Sequence, residues 1–264
     1  MRYEPLKDIL ASLLGNIPQA RSLLFAALDL MLLRQRYVKA AIRKYIPADA
    51  APRMYDAGAG YCQYSCFMMR NWKRSKVFAL DLKVDYIRAF AAWLDAAHRA
   101  RFSFTQGDLQ LYEPQNRYDL VTAIDILEHI PDDLAVLRNF FHCLKPGGIL
   151  IISTPSDTDE AARFTAEHVR PGYALNDLRA KLESVGFEVI ESRYSYGFWG
   201  SLAWKLSIRQ PLRLIGKSKA FALLLPFYYL PILPLSMLLN KLDTMTLNKS
   251  GTGILMVGRV PERL

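Results

Sequence analysis

Cysteine is scarce in this chain, which carries three, Cys62, Cys66 and Cys143, among its 264 residues. A small, odd number of thiols in apolar surroundings gives no disulfide framework and is typical of reduced thiols in the cytoplasm. Cys62 and Cys66 are spaced to share a helix face, but two thiolates without further ligands make a poor metal site. We therefore expect all three thiols to pack in the core.

Glycine and proline are also few, at 14 each, and charged residues make up 22% of the chain against 52% hydrophobic ones. This composition excludes collagen-like repeats and extensive disorder. It indicates one large α/β domain, or a core domain with an accessory lobe. The N-terminus lacks the basic region, apolar run and cleavage site of a signal peptide, so we do not expect secretion.

Acidic side chains are rare at both ends of the chain. The formal charge is +5 over residues 1–53, −4 over 54–192 and +8 over 193–264. The basic residues at the ends lie among long aliphatic runs, which favours an anionic membrane surface over nucleic acid as the partner. We expect a cytoplasmic protein, peripheral at the inner face of the membrane, with no nucleic-acid partner.

From residue 53 onward, strand-like and helix-like segments alternate at the spacing of βαβ units. This pattern predicts an α/β fold with a doubly wound sheet. The predicted helices are 61–72, 86–97, 132–144 and 175–185, and the predicted strands are 53–57, 76–80, 102–106, 118–124, 148–153, 187–193 and 253–260. We divide the chain into an N-terminal helical cap (1–52), a core (53–193), an insertion (194–252) and the final strand (253–264).

A glycine-rich turn, Asp56-Ala57-Gly58-Ala59-Gly60, joins the first predicted strand to a helix. Gly58 and Gly60 let the backbone approach a ligand closely, and the N-terminus of the helix can hold a carboxylate group. The dinucleotide-binding pattern requires a further glycine where Gln63 stands, which disfavours a nicotinamide cofactor.

Carboxylates also follow the second and third predicted strands. Asp81, with Leu82 next to it, can accept hydrogen bonds from both hydroxyls of a ribose. Asp108 can reach an exocyclic amine, and Leu109 can cover a flat base. A single Asp at a strand end is more typical of a turn, but acidic residues at three successive strand ends favour a nucleoside site.

Together these motifs resemble the class I S-adenosylmethionine-dependent methyltransferases, over about residues 53–193 and the last strand. Residues 125–132 (DILEHIPD) and 144–148 (LKPGG) also match that family's pattern. The resemblance implies a seven-stranded Rossmann-like sheet and S-adenosylmethionine as cofactor. It places Asp56, Gly58 and Gly60 around the methionine part, Asp81 and Leu82 at the ribose, and Asp108 and Leu109 at the adenine. Cys62 departs from the family pattern, where many members have a third glycine.

Methyl transfer from a sulfonium is an in-line displacement, so a base is required only if the acceptor must lose a proton. His129 follows the fourth strand, and His168 lies in the loop after the fifth; both are our candidate bases for a hydroxyl acceptor. The alternative for His129 is a histidine that caps the short helix or packs against the cofactor, and the alternative for His168 is an exposed histidine on a loop stiffened by Pro-Gly. Arg170 and Tyr173 of that loop are candidates for binding an anionic or aromatic group.

Asp125, Glu128 and His129 are spaced to share one helix face, as metal ligands would. Similar clusters occur in O-methyltransferases that resemble those of ubiquinone biosynthesis, where a divalent cation assists. That group has a longer carboxylate at the first position, so we prefer cofactor contact for Asp125 and expect no metal.

The 59-residue insertion, 194–252, combines basic and apolar residues. Residues 220–240 form a run of 21 without a charge, and Lys205, Arg209, Arg213 and Lys217 precede it at four-residue intervals. One crossing of a bilayer is excluded because the flanking strands share a sheet, and two crossings need roughly 40 apolar residues. Pro211 is expected to break the helix or mark its restart, and the prolines at positions 226, 231 and 234 are expected to interrupt the apolar run. We therefore predict a shallow re-entrant or interfacial helical hairpin.

The sixth strand is expected to run parallel to the first five, so the insertion should leave the sheet at its carboxyl edge, beside the methyl donor. This placement predicts a membrane-associated methyltransferase with a lipophilic acceptor, and the histidines favour oxygen as the methylated atom. Two alternatives remain open, namely a soluble small-molecule methyltransferase with an apolar lid and a non-catalytic membrane scaffold that binds S-adenosylmethionine.

Overall fold

A seven-stranded sheet organises the chain, of which the computed structural model describes residues 18–158, 169–217 and 219–262. The strand order is β3-β2-β1-β4-β5-β7-β6. Strands β1 to β6 are parallel, and β7 runs antiparallel between β5 and β6. The strands are β1 (Arg53–Ala57), β2 (Lys76–Asp81), β3 (Phe102–Gln106), β4 (Tyr118–Ile124), β5 (Leu144–Pro155), β6 (Glu188–Ser195) and β7 (Gly253–Arg259). The predicted seven-stranded, doubly wound sheet is confirmed.

Helices cover both faces of the sheet and form the insertion. They are α1 (Pro18–Met31), α2 (Leu33–Tyr45), α3 (Gln63–Asn71), α4 (Val84–Trp93), α5 (Ala96–Arg99), α6 (Asp133–Cys143), α7 (Leu175–Val185), α8 (Phe198–Trp204), α9 (Gln210–Lys217) and α10 (Leu225–Met245). The single helix predicted over 86–97 is wrong, because α4 ends at Trp93 and a separate helix, α5, begins at Ala96. Asp95 caps α5, since its side chain accepts a hydrogen bond from the backbone N–H of His98.

The alternating side chains of the strands divide the core into two layers. Met54 and Ile151 point into a cluster under α1 to α4, whereas their neighbours Tyr55 and Ile152 point into a cluster under α6 and α7. The three cysteines are buried in these clusters, where desolvation raises the pKa of each thiol. Their predicted core packing is confirmed.

The strand order reverses between β1 and β4, which lie side by side with β2 and β3 on one flank and β5 to β7 on the other. In open α/β sheets the crevice at such a switch point, outside the carboxyl ends of the strands, is where ligands bind. Because β6 is parallel to β1–β5, the insertion begins at this same edge, as predicted.

The insertion is a helical hairpin. Its outgoing arm comprises α8, a π-helical turn (Lys205–Arg209) and α9, and a 3₁₀ turn (Lys219–Leu224) leads into the returning arm, α10. The arms are bonded near the base, where the N–H of Gly200 donates to Oδ1 of Asp243 at 2.9 Å. Further out, the Tyr228 hydroxyl donates to the carbonyl of Leu206 at 2.7 Å. The predicted hairpin geometry is therefore confirmed for the described part of this segment.

The prolines act in two ways. Pro211 is the second residue of α9, directly after the π turn, and Pro226 is the second residue of α10, so both stand where a helix starts; the predicted restart at Pro211 is confirmed. Pro211 lacks the N–H that would bond to the carbonyl of Ser207, and the Tyr229 hydroxyl donates to that carbonyl instead, at 2.8 Å. The π turn just before Pro211 gives the backbone room for this arrangement. Helix α10, in contrast, continues through Pro231 and Pro234, so their predicted interruption of the helix is wrong. Across the described ranges, each helix falls short of the length and apolar character that crossing a membrane requires.

Gly172 fixes the loop that returns from β5 toward α7. Its φ of +156° is rare for other residues, and a Cβ here would lie 2.5 Å from the carbonyl oxygen of Ser156 and 2.6 Å from that of Pro155. We expect Gly172→Ala to lower the free energy of unfolding by about 2 kcal/mol or more. Chemical denaturation followed by circular dichroism measures this change.

Gly216→Ala is the matched control, because Gly216 lies in α9 and a Cβ added to it would meet nothing within 4 Å. It should leave stability unchanged or raise it by up to about 1 kcal/mol. Equal stability of the two variants would show that the Gly172 loop tolerates a side chain.

Candidate functional site

The glycine-rich turn after β1 packs directly against the segment after β4. Gly58 has φ +72°, and a Cβ on it would lie 2.7 Å from the side chain of Ile126, so only glycine fits here. The N–H groups of Gly58 and Ala59 donate to the carbonyl of Leu80 at 2.8 and 3.1 Å. The ends of β1, β2 and β4 are thereby gathered at the switch point.

Gly60 has φ +48° and, unlike Gly58, faces open space, since a Cβ added to it would meet nothing within 4 Å. A backbone without a side chain that borders open space at the switch point leaves room for a ligand to approach the main chain. The turn therefore fits the cofactor that the sequence predicts.

Asp81 supports this turn from the end of β2. Its Oδ2 accepts a hydrogen bond from the N–H of Gly60 at 2.8 Å, and its Oδ1 accepts one from the N–H of Lys83 at 2.9 Å. A carboxylate oxygen has two lone pairs, so each oxygen can still accept from one ribose hydroxyl. Leu82, which follows Asp81, is exposed. This geometry suits the predicted ribose site.

Asp108 and Leu109 lie at the end of β3 on the same edge. Oδ1 of Asp108 accepts a hydrogen bond from the N–H of Gln110 at 2.9 Å, and Oε1 of Gln110 accepts one from the N–H of Asp132 at 3.2 Å. The Leu109 side chain is buried in the core layer under α6 and α7. The structure thus places both residues at the sheet edge, and their contact with an adenine ring stays a prediction.

Asp56 lies beneath the turn rather than on its surface. Oδ2 accepts hydrogen bonds from the N–H (3.1 Å) and hydroxyl (2.6 Å) of Ser65, and Oδ1 accepts one from the hydroxyl of Thr122 (2.9 Å). Burial raises the pKa of this carboxyl from 3.8 to about 6, even though these three hydrogen bonds oppose the shift. Asp56 therefore joins β1 to α3 and β4, and its direct contact with a cofactor stays a prediction.

An arginine from the N-terminal cap completes the site, although no signal in the sequence points to it. Asp125, in the left-handed region with φ +51°, follows β4 and forms an ion pair with Arg34 of α2. The backbone N–H of Arg34 donates to the hydroxyl of Tyr196 at 3.2 Å, and the phenol of Tyr64 lies beside the guanidinium. Arg34 is one of several basic residues in its helix, so the sequence pattern does not distinguish it from the others.

The predicted common face of Asp125, Glu128 and His129 does not form. Asp125 turns toward Arg34, and Oε2 of the buried Glu128 accepts a hydrogen bond from the Thr154 hydroxyl at 3.0 Å. His129 ends a short 3₁₀ turn (Leu127–His129) and is half-buried at the sheet edge. Among the residues that the structure describes, no three His, Cys, Asp or Glu side chains are grouped as metal ligands.

Arg170 and Tyr173, our candidates for binding an acceptor, both contact the buried Asp133, so their contact with an acceptor stays a prediction. The Tyr173 hydroxyl donates to Oδ2 of Asp133 at 2.7 Å, and Nη1 of Arg170 donates to the same oxygen at 3.0 Å. Lys181 donates to Oδ1 of Asp133 at 2.7 Å. Burial works to raise the pKa of Asp133, but the hydrogen bonds from Lys181 and Tyr173 and the charge of Arg170 lower it.

Arg170 and Tyr173 thereby hold their segment of the chain against the 3₁₀ turn. Arg170 also donates hydrogen bonds to the carbonyls of Leu127 and Pro131. His168, the other candidate base, lies outside the described residues, so its role stays a prediction.

Comparison with known proteins identifies the architecture. Residues 32–192 match a family model described as a methyltransferase domain. The chain is 26% identical over 115 residues to a trans-aconitate 2-methyltransferase of Azoarcus sp. (strain BH72), which covers 44% of each protein. It is 32% identical over 121 residues to a ubiquinone biosynthesis O-methyltransferase of Xanthomonas campestris pv. campestris (strain B100), which covers 44% of this chain and 50% of the relative. The chain thus spans about half the length of the curated relatives it matches.

A similar fold is found in Haemonchus contortus phosphoethanolamine N-methyltransferase 2 in complex with S-adenosylmethionine. The TM-score is 0.58 at 18% identity, over 85% of this chain and 52% of that one. The family match ends at residue 192, so it includes α2 and the sheet edge but stops before the hairpin.

Asp81→Ala should weaken S-adenosylmethionine binding by about tenfold or more, because it removes both the predicted ribose acceptor and the acceptor for Gly60. Isothermal titration calorimetry measures the dissociation constant. Asp85→Ala is the matched control, since Asp85 is an exposed carboxylate four residues further along the chain. The same loss in both variants, or in neither, would contradict the ribose assignment.

Asp56 should make stability depend on pH. The carboxyl binds its proton more tightly in the folded state (pKa about 6) than in the unfolded chain (3.8), so its contribution favours folding at low pH and is lost as the pH rises through 6. Relative to Asp56→Asn, the wild type should lose up to about 3 kcal/mol of unfolding free energy between pH 4 and pH 7. Urea denaturation across this range tests the shift, and a difference that stays constant with pH would refute it.

Proposed function

This chain belongs to the methyltransferase-domain family in its class I, S-adenosylmethionine-dependent form, and on that premise we propose that it methylates a lipophilic acceptor, at oxygen, presented by a membrane. The observation that carries the proposal is the exposed apolar hairpin that begins at the same sheet edge as the cofactor-binding residues. Three regions of the molecule support it, one each for the donor, the acceptor and the membrane surface.

The donor is held by the switch-point residues. Bound S-adenosylmethionine supplies a methyl group on a sulfonium, which is electrophilic without further activation. Gly58 and Gly60 would admit its methionine part close to the main chain. Asp81 would hold the ribose and Asp108 the adenine, and Asp125 would face the cofactor from the end of β4. These side chains align the donor, which is the main requirement of an in-line displacement.

The acceptor is activated by His129. Its imidazole lies half-buried at the carboxyl edge, at the end of the 3₁₀ turn that follows Asp125. A neutral imidazole at this position would accept the proton of a hydroxyl as the oxygen attacks the methyl group. The relative from ubiquinone biosynthesis is an O-methyltransferase, which supports oxygen as the methylated atom.

The membrane-facing surface is the outer end of the hairpin. Leu223, Phe227 and Leu230 are 79%, 75% and 77% exposed. Further exposed apolar side chains extend this surface, namely Leu212, Phe221, Leu224, Leu235, Met237 and Leu238. Large exposed apolar surfaces are rare on monomeric soluble proteins and mark interaction sites. We call the surface formed by these nine residues the apolar patch.

Exposed cations flank the apolar patch. Lys205 and Arg209 of the π turn and Arg213 of α9 are exposed on the outgoing arm. Basic side chains beside an apolar surface suit the headgroup region of an anionic bilayer, where the chain can lie in the interface without crossing it. Phe198, which is also exposed, lies at the base of the hairpin three residues after β6 ends, between the apolar patch and the sheet edge.

The double variant Leu223→Ser/Phe227→Ser tests the role of the membrane. It removes two of the most exposed apolar side chains of the patch, so binding to vesicles of phosphatidylcholine and phosphatidylglycerol should weaken by at least about tenfold. Transfer of radiolabelled methyl groups from S-adenosylmethionine into the organic extract of membranes should fall in parallel. Co-sedimentation and scintillation counting measure the two effects.

Leu111→Ser is the matched control, because Leu111 is equally exposed but lies after β3, away from the hairpin. The control should bind vesicles and transfer methyl groups like the wild type, and all three proteins should bind S-adenosylmethionine equally. Methyl transfer confined to water-soluble acceptors would contradict the proposal and favour a soluble enzyme with an apolar lid. Cofactor binding without transfer to any membrane component would favour a non-catalytic scaffold.

A further inference from the structure

A buried carboxylate at the base of the hairpin joins three helices. Asp243, in the last turn of α10, is fully buried. Its Oδ1 accepts the hydrogen bond from the N–H of Gly200 in α8, and its Oδ2 accepts one from the hydroxyl of Tyr37 in α2 at 2.8 Å. The hairpin and the N-terminal cap are thus bonded through one side chain, although Tyr37 and Asp243 are 206 positions apart.

The backbone of α8 packs closely against this carboxylate. A Cβ on Gly200 would overlap the side chain of Leu33 and lie 2.9 Å from Cγ of Asp243. The guanidinium of Arg193, near the end of β6, lies over the Tyr37 ring at 4.8 Å, and the amide of Asn248 donates to the Tyr37 hydroxyl at 3.4 Å. Tyr37 is therefore held by the hairpin, by β6 and by the segment before β7.

Helix α2 connects Tyr37 to the carboxyl edge of the sheet, where the cofactor is expected to bind. Arg34 lies three residues before Tyr37, about one turn away and about 4.5 Å along the helix axis. Its side chain pairs with Asp125 at the end of β4, and its backbone N–H donates to Tyr196 just beyond the end of β6. Because a helical turn is stiff, the position of Tyr37 sets the position of Arg34.

We propose that Tyr37 is a positioning residue for cofactor binding. Through its hydrogen bond with Asp243 it holds α2 so that Arg34 stays paired with Asp125, and the base of the hairpin thereby supports the site to which the donor binds. This inference rests on the S-adenosylmethionine-binding part of the proposed function and on no assumption about the acceptor or the membrane.

The same helix offers a matched control. Tyr45, at the other end of α2, also donates a phenolic hydrogen bond to a carboxylate, Oε2 of Glu191, at 2.8 Å. Tyr37→Phe and Tyr45→Phe each remove one hydroxyl from α2, but Tyr45 lies about three turns away from Arg34. A general loosening of the cap would appear in both variants, whereas a positioning effect on Arg34 would appear in Tyr37→Phe only.

A double-mutant cycle on the full chain tests the inference by calorimetric titration with S-adenosylmethionine. We expect Tyr37→Phe to raise the dissociation constant by about fivefold and Arg34→Ala to raise it by about tenfold or more. In the Arg34→Ala background, Tyr37→Phe should add less than about twofold, because its route to the site is already removed. Tyr45→Phe should bind S-adenosylmethionine within about twofold of the wild type.

Two results would overturn the inference: an equal effect of Tyr37→Phe in both backgrounds, or an equal effect of Tyr37→Phe and Tyr45→Phe. If Tyr37→Phe shows no cooperative thermal unfolding, Asp243→Asn takes its place in the cycle. It keeps the volume of the side chain but replaces one of the two acceptors used by Tyr37 and Gly200.

A kinetic measurement separates positioning from loss of structure. With methyl transfer into membrane extracts as the assay, Tyr37→Phe should raise the KM for S-adenosylmethionine by the same factor as the dissociation constant and leave kcat within about twofold. A fall in kcat with unchanged KM would overturn the inference. If no membrane acceptor is methylated but the binding cycle behaves as expected, the proposed acceptor class is wrong and the role of Tyr37 stands.

Discussion

The site depends on one buried carboxylate, Asp56, which joins β1, α3 and β4 where the strand order reverses. It accepts three hydrogen bonds from neighbouring elements, two from Ser65 and one from Thr122. Burial of this carboxyl is costly and raises its pKa to about 6, and the three hydrogen bonds offset part of that cost. With this link in place, the glycine turn can pack against Ile126 and still leave the backbone at Gly60 accessible.

The second constraint is topological. Since β7 is antiparallel and lies between β5 and β6, the chain leaves β6 at the carboxyl edge and must return to that edge to begin β7. Any insertion between these strands is therefore placed beside the ligand crevice. A hairpin with an apolar outer end at this position brings exposed apolar side chains to the same side of the molecule as the cofactor-binding edge, and the proposed lipophilic acceptor is based on this placement.

The N-terminal cap connects these two regions. Helix α2 contributes Arg34 to the cofactor edge and Tyr37 to the base of the hairpin, within one helical turn. The network around Asp133 has a comparable task on the other side of the edge, where Arg170, Tyr173 and Lys181 hold the loop after β5. Arg170 and Tyr173, which the sequence suggests as ligand-binding residues, hydrogen-bond within the protein and stabilise the segment beside the site.

Local patterns along the chain were enough to predict the strands, the glycine turn, the strand-end carboxylates Asp81 and Asp108, and the hairpin, because each follows from periodicity, turn chemistry or the length of an apolar run. Contacts between residues far apart in sequence decided the rest. They paired Arg34 with Asp125 and placed Asp56 in the interior against Thr122. They also paired Arg170 and Tyr173 with Asp133. They also satisfy the carbonyl of Ser207, which Pro211 leaves without its helical N–H donor, because the Tyr229 hydroxyl donates to it from 22 positions further along the chain. The spacing of residues along a strand or helix determines which face a side chain occupies. It does not determine which distant residue packs against that face, so these contacts could not be predicted from the sequence.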